Sequence, residues 1–174
     1  MKTDRILIAG IGNIFLGDDA FGVEVAQQLA QRDLPDGVRV VDFGIRSFDL
    51  AYALMDDYDV NMLIDATQQG KEPGTVYLIE PDLSELEALD GEVINAHSMN
   101  PVRVLHMVKS LGGGVSGKLY LVGCESEVLE TEGGHLGLSP TVQAAVPHAI
   151  DMILSFIEEL RQEQSITEPS LTEA

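Results

Sequence analysis

Tryptophan is absent from the 174-residue sequence, and cysteine occurs once, at Cys124. A single cysteine excludes an internal disulfide and any zinc site built from several cysteines. Aromatic residues make up only 5% of a chain that is 45% hydrophobic, so its core must be mainly aliphatic. Basic residues are scarce too: 10 Lys and Arg stand against 29 Asp and Glu, a net charge of -19. Such a surface repels nucleic acid and anionic lipid and works against a phosphate-rich ligand. It suits a basic or cationic partner, and it also serves plain solubility. No apolar run reaches the roughly 18 residues that a membrane-spanning helix needs. The run behind Met1–Arg5 is too short for a signal peptide. The expectation is a cytoplasmic protein, a monomer, with no nucleic-acid or membrane partner.

What is present is an alternation of short apolar strands and amphipathic helices. Ile6–Ala9 reads as a buried strand stopped by Gly10-Ile11-Gly12. Val23, Ala26, Leu29 and Ala30 then recur at helical spacing within a helix over about 18–32. Val38–Asp42 is a second strand, and Ser47 is placed to cap a helix running to about Met55. Val60–Ile64 is a third strand, ending on Asp65-Ala66. Thr75–Ile79 is a fourth, after the turn Lys71–Gly74. Residues 80–96 are acidic and less regular. Asn100-Pro101 is a cap followed by proline in a first helical turn, for a helix to about Leu111. Lys118–Gly123 is a fifth strand, and Ser139-Pro140 opens a last helix to about Glu163.

Strands that are apolar throughout and alternate with helices imply an α/β fold. The expected architecture is a twisted, mostly parallel five-stranded sheet sandwiched between helices on both faces. The third and fourth strands are joined by too little chain for a crossover helix, so they form a hairpin or the fourth lies at an edge. The chain reads as a single α/β domain over 1–163, with a polar, disordered tail over 164–174.

Ligands of open α/β sheets bind beyond the carboxyl ends of the strands. Asp18 and Asp19 follow the first strand, Asp42 ends the second and Asp65 ends the third. His97 precedes the Asn100 helix and is free to reach the same edge. Carboxylates with an imidazole form a reasonable ligand set for a divalent transition metal. Clustered carboxylates also raise one another's pKa until a cation neutralises them. Each residue has a plainer reading as well. Asp19 suits a helix start, Asp65 suits a strand end, and a lone histidine is commonly structural. His106 and His148 share polar helix faces with Arg103 and Ser110, and with Asp151 and Ser155. His135 lies in a glycine-rich loop without an evident partner. Cys124, behind a buried strand, reads as a small packed residue.

Gly10-Ile11-Gly12 does not extend to a dinucleotide fingerprint, because the third glycine falls on Phe15. Asp18 and Asp19 would repel a pyrophosphate at the helix start, so no nucleotide cofactor is expected. The glycines instead let the backbone turn sharply and present Asp19 at the crevice. Neither a G-x-S-x-G elbow nor an H-E-x-x-H pair is present. A hydrolase built on this chain would activate water through a carboxylate or a metal.

An ordered set of motifs spans about residues 5–160. It runs from Gly10–Asn13, Leu16–Asp19 and Gly22-Val23 to Asp42–Gly44, Leu63–Ala66 and Pro73–Thr75. It continues through His97 before a helix, Leu121–Gly123, and Gly137–Val142. In this order the motifs resemble those of the maturation proteases of nickel–iron hydrogenases. The resemblance implies the α/β sandwich already described. It also implies an endopeptidase, described for the family as aspartic-type. Such an enzyme removes the C-terminal extension of a nickel–iron hydrogenase large-subunit precursor after nickel insertion. By position it makes Asp19, Asp65 and His97 the metal-binding residues, with Asp19 and Asp65 also the catalytic candidates. Some members carry Thr where this chain has Ile45, so no hydroxyl role transfers there. Asp42 keeps its place as a further candidate for substrate contact or catalysis.

On this reading the nickel belongs to the substrate, and the three residues recognise the loaded precursor. Two other functions fit the same residues. One is a nickel-binding checkpoint or chaperone that does not cleave, and the other is a metal-dependent hydrolase of a small amide.

Overall fold

The computed structural model describes residues 4–88, 100–128 and 136–167. Its centre is a five-stranded sheet of β1 (Ile6–Ile11), β2 (Val38–Gly44), β3 (Val60–Thr67), β4 (Val76–Ile79) and β5 (Lys118–Glu125). The spatial order is β2-β1-β3-β5-β4. All neighbours are parallel except β4, which pairs antiparallel with β5. The fourth strand is therefore an edge strand. The hairpin alternative fails because β5 lies between β3 and β4.

Helices cover both faces, which is why the strands are apolar on both sides. On one face lie α1 (Phe21–Leu29) and α5 (Pro140–Thr167), packed against Ile6, Ile8, Met62, Ile64 and Val122. On the other lie α2 (Ser47–Leu54) and α4 (Pro101–Ser110), against Leu7, Ala9, Ile11, Leu63 and Leu119. Phe21, Val25 and Leu29 bring one stripe of α1 into the first core. Full burial of side chains of this kind contributes about 1.5–3 kcal/mol each.

Several helix ends differ from the sequence pattern. The helix expected over 18–32 begins as a 3-10 turn, Gly17–Ala20, and becomes α-helical only at Phe21. Ser47 is the first residue of α2 and makes no cap; Arg46 holds the cap position. Asn100 caps α4 as expected, its side chain accepting from Arg103 N at 2.9 Å. The acidic stretch after β4 contains a short helix, α3 (Leu83–Ala88), started by Asp82, whose carboxylate accepts from Ser84 N. The last helix runs past Glu163 to Thr167. Contacts to the body of the fold support this extra length: Arg161 donates to the Asp36 carbonyl and Gln164 to the Asp4 carboxylate. Residues 168–174 of the expected tail lie outside the described residues.

The strand order matters for function. From β1 the chain passes by α1 to β2 on one side. It then returns by α2 to β3 on the other. The crevice at the carboxyl ends of β1 and β3 is thus the topological switch point, where open α/β sheets bind ligands.

Candidate functional site

Asp19 and Asp65 occupy this switch point from opposite sides. Asp19 lies in the 3-10 turn that follows β1. That turn closes tightly on the end of the strand: Gly12 has φ +144, and a Cβ there would meet the Asp19 carbonyl oxygen at 1.8 Å. The glycine presents Asp19 to the crevice, as its position in the sequence suggested. Asp19 Oδ2 accepts a 2.7 Å hydrogen bond from Asn13 N. Asp65 ends the apolar run of β3, one residue beyond the last pairing of that strand with β1.

The two carboxylates are close enough for their charges to act on each other. Asp65 is 7% exposed, and its Oδ1 has no hydrogen-bond partner among the described residues. Burial, with the charge of Asp19 as the second cause, pushes the Asp65 carboxyl well above the ordinary range; the Ala66 backbone N–H opposes this. Burial also raises Asp19, against the Asn13 hydrogen bond. Among the described residues no Lys or Arg forms an ion pair with either. A buried carboxylate with an orphaned oxygen, a half-buried carboxylate beside it and no basic partner among the described residues make a site short of positive charge. The donor set suits a divalent cation, with oxygens that are hard or borderline ligands.

Two of the three expected metal-binding residues are therefore brought together. His97 lies outside the described residues. Among the described residues no group of three His, Cys, Asp or Glu side chains gathers as a metal site. His135 also lies outside them.

Asp42 is not brought to this pair. Its Oδ1 accepts from Gly44 N at 2.9 Å and its Oδ2 from Gln27 Nε2 at 3.1 Å. It lines a separate groove of about 390 Å³ with Asn13, Ile14, Phe15 and Ile45. Strand alternation explains the separation. Asp42 points to the α1 face, where Gln27 meets it, whereas Asp65 follows Leu63 on the α2/α4 side.

Asp65 opens onto a larger cleft of about 550 Å³, bounded by β3, β5, β4 and the start of α4. Its lining includes Gln68, Lys71, Tyr77, Ile79, Leu86 and Asn100. This volume is within the range of ligand-binding clefts. Three residues form one row across the sheet floor: Asp65 pairs with Gly123, and Gly123 pairs with Tyr77. The glycine in the middle leaves room for the Tyr77 ring, because a Cβ there would meet Tyr77 Oη at 2.6 Å. The phenol therefore lies over Gly123, directed along the row toward Asp65. Burial raises its pKa, a hydrogen bond with the Thr67 side chain opposes this, and the charges of Glu125 and Asp65 add to the rise. Lys71 Nζ sits 4.3 Å from the centre of the same ring.

Sequence reasoning passed over Tyr77, because only the register shows it level with Asp65. It also passed over Glu125, 4% exposed, whose carboxylate accepts from Gln69 N and Gly70 N and shapes the rim of the cleft. An acidic residue closing an apolar strand was the available signal. Cys124 is buried as expected, and burial, helped by the charges of Asp18 and Glu125, pushes its thiol up to about 12. A thiol held in that form is no nucleophile.

Comparisons with known proteins identify the family and the fold. A family model described as hydrogenase maturation protease matches residues 23–156. The hydrogenase 2 maturation protease of Escherichia coli K12 is 36% identical over 157 residues, covering 89% of this chain and 92% of that protein. The solved structure of the hydrogenase maturating endopeptidase HybD from E. coli superposes with a TM-score of 0.70 at 33% identity, covering 89% of this chain and 93% of that one. A hydrogenase 2 maturation peptidase from a Thaumarchaeota archaeon gives 0.66 at 29% identity, covering 88% and 98%. With a family match over most of its length, and the same fold in solved endopeptidases, this chain belongs to the hydrogenase maturation protease family.

Proposed function

We propose that this protein is the cytoplasmic endopeptidase that removes the C-terminal extension of a nickel–iron hydrogenase large-subunit precursor after nickel insertion. The observation that carries the proposal is the Asp19–Asp65 pair: Asp65 is buried, raised by the Asp19 charge, has one oxygen unpartnered and faces a cleft, and Asp19 is half-buried beside it. A cation brought by the substrate would relieve this repulsion, so the loaded precursor binds better than the empty one. Nickel is here part of the substrate, and Asp19 and Asp65 recognise it, with His97 as the proposed third residue.

The adjoining cleft takes the peptide around the scissile bond. Holding that segment against the carboxylate pair converts a bimolecular attack into one within a complex. A water beside the pair attacks the scissile carbonyl carbon while a carboxylate receives its proton. The C–N bond then breaks and the proton passes to the departing amine. A carboxyl raised by burial is suited to that exchange near neutral pH. The protonated Tyr77 phenol supplies a hydrogen-bond donor to the same space.

The test is incubation of the purified protein with nickel-loaded and nickel-free precursor, followed by intact mass. Loss of the extension only from the loaded form is expected. A loaded precursor of unchanged mass would overturn cleavage and leave a binding-only checkpoint. Equal cutting of both forms would overturn nickel recognition.

A further inference from the structure

The aspartate beside Asp19 has a different fate. Asp18 is fully buried, yet no basic side chain neutralises it among the described residues. Its Oδ2 accepts from Glu127 N at 2.9 Å, Val128 N at 2.7 Å and Ser139 Oγ at 2.9 Å. Its Oδ1 accepts from Ser139 N at 2.7 Å. Four hydrogen bonds thus replace a counter-cation. The Ser139 hydroxyl is shared, since it also accepts from Val142 N in the first turn of α5. The carboxylate therefore sits at the start of a 28-residue helix, where the helix dipole favours an anion.

The backbone repeats the connection. Asp18 N donates to Val128 O at 2.7 Å. Gly17, at φ +55, permits that approach: a Cβ there would lie 2.7 Å from the same oxygen. The link joins the turn after β1 to the chain after β5 and to the start of α5, 121 residues away. Two sequence motifs, Leu16–Asp19 and Gly137–Val142, thereby meet in one contact.

We infer that Asp18, clasped by Val128 and Ser139, is a positioning residue that holds Asp19 against Asp65. Asp19 is the next residue on the same four-residue turn. One end of that turn is fixed by the Asp18 clasp. The other is fixed by the Asn13 N–H on the Asp19 carboxylate. Between two fixed ends Asp19 keeps its orientation toward Asp65. Asp18 has no group facing the cleft; it acts through Asp19. This role rests on the proposed protease site.

The test uses the full chain with Asp18→Asn, Ser139→Ala and a remote core control, Ile153→Val. Asparagine keeps the shape but places an amide against N–H donors, so the clasp loosens without leaving a hole. Processing of nickel-loaded precursor gives kcat and KM, and a 15N-resolved amide spectrum reports the Asn13 N–H. For Asp18→Asn we expect kcat to fall at least about tenfold with KM unchanged, as for a reacting group displaced by a fraction of an ångström. Ser139→Ala should fall less, and Ile153→Val should keep wild-type kcat. The Asn13 amide should move in the first two variants and stay in the third. Wild-type kcat in folded Asp18→Asn, or a loss matched by Ile153→Val, overturns the role. If the wild-type chain leaves the precursor uncut, the protease reading fails by itself. The clasp is then judged by the Asn13 amide, and an unmoved signal in Asp18→Asn refutes it.

Discussion

Replacing Asp65 by asparagine should stabilise the protein at neutral pH while removing its activity. Burial and the Asp19 charge lift the Asp65 carboxyl well above its ordinary 3.8. Between that value and the raised one, the folded chain holds a proton that the unfolded chain has released. Stability therefore falls as pH rises through this window and stays low above it. Each unit by which the carboxyl is raised costs the folded state about 1.4 kcal/mol at neutral pH. A gain of that size moves the Tm of a domain of 150–250 residues by roughly 3–6 °C. Asparagine keeps a carbonyl to accept from Ala66 N and carries no charge into the crevice. Its amide takes the place of an oxygen that already lacked a partner. The assay is thermal unfolding of both proteins, free of divalent metal, from pH 3.5 to 8. The variant should melt at least about 3 °C higher at pH 7.5. The gap should narrow as pH falls to 3.5, below the ordinary 3.8, where the unfolded Asp65 takes up the proton that the folded one already holds. An equal or lower Tm at pH 7.5 would refute the reasoning, since the pair would then carry no unrelieved charge.

Cys124, with its thiol pushed up to about 12, should resist iodoacetamide at pH 8 in the folded protein and react fully in denaturant; labelling of the native chain, read by mass, would contradict the burial. Asp42→Asn keeps an acceptor for Gly44 N, so precursor processing should stay within about fivefold of wild type, given that one neutral hydrogen bond is worth about 1 kcal/mol. A loss as deep as that of Asp65→Asn would place Asp42 in the chemistry.

The sheet was legible because both its faces are covered, which leaves strands such as Val60–Ile64 apolar throughout and easy to read. Their ends were less so. β3 runs on to Thr67 because its pairing with β5 continues to Glu125, and no local pattern marks such pairing. The short helix α3 was hidden in an acidic stretch, where the Asp82 and Ser84 start signal was followed by only one apolar pair at helical spacing, Leu83 and Leu86. Asp65 could be found from its place behind an apolar run. Asp19 was singled out by the glycine turn and by the family resemblance, but the role of Asp18 was not legible, since it is set by Ser139, a partner far away in the chain. Tyr77 became visible only when the register set it level with Gly123 and Asp65.

The central claim is that a carboxylate pair, Asp65 buried and Asp19 half-buried, waits for a cation carried by the substrate. Its most direct measurement is the intact mass of the large-subunit precursor after incubation, with and without nickel, alongside Asp19→Ala and Asp65→Ala. The account predicts loss of the C-terminal extension from the nickel-loaded precursor with the wild-type chain alone. Cleavage of the nickel-free precursor at the same rate, or full cleavage by either variant, would contradict it.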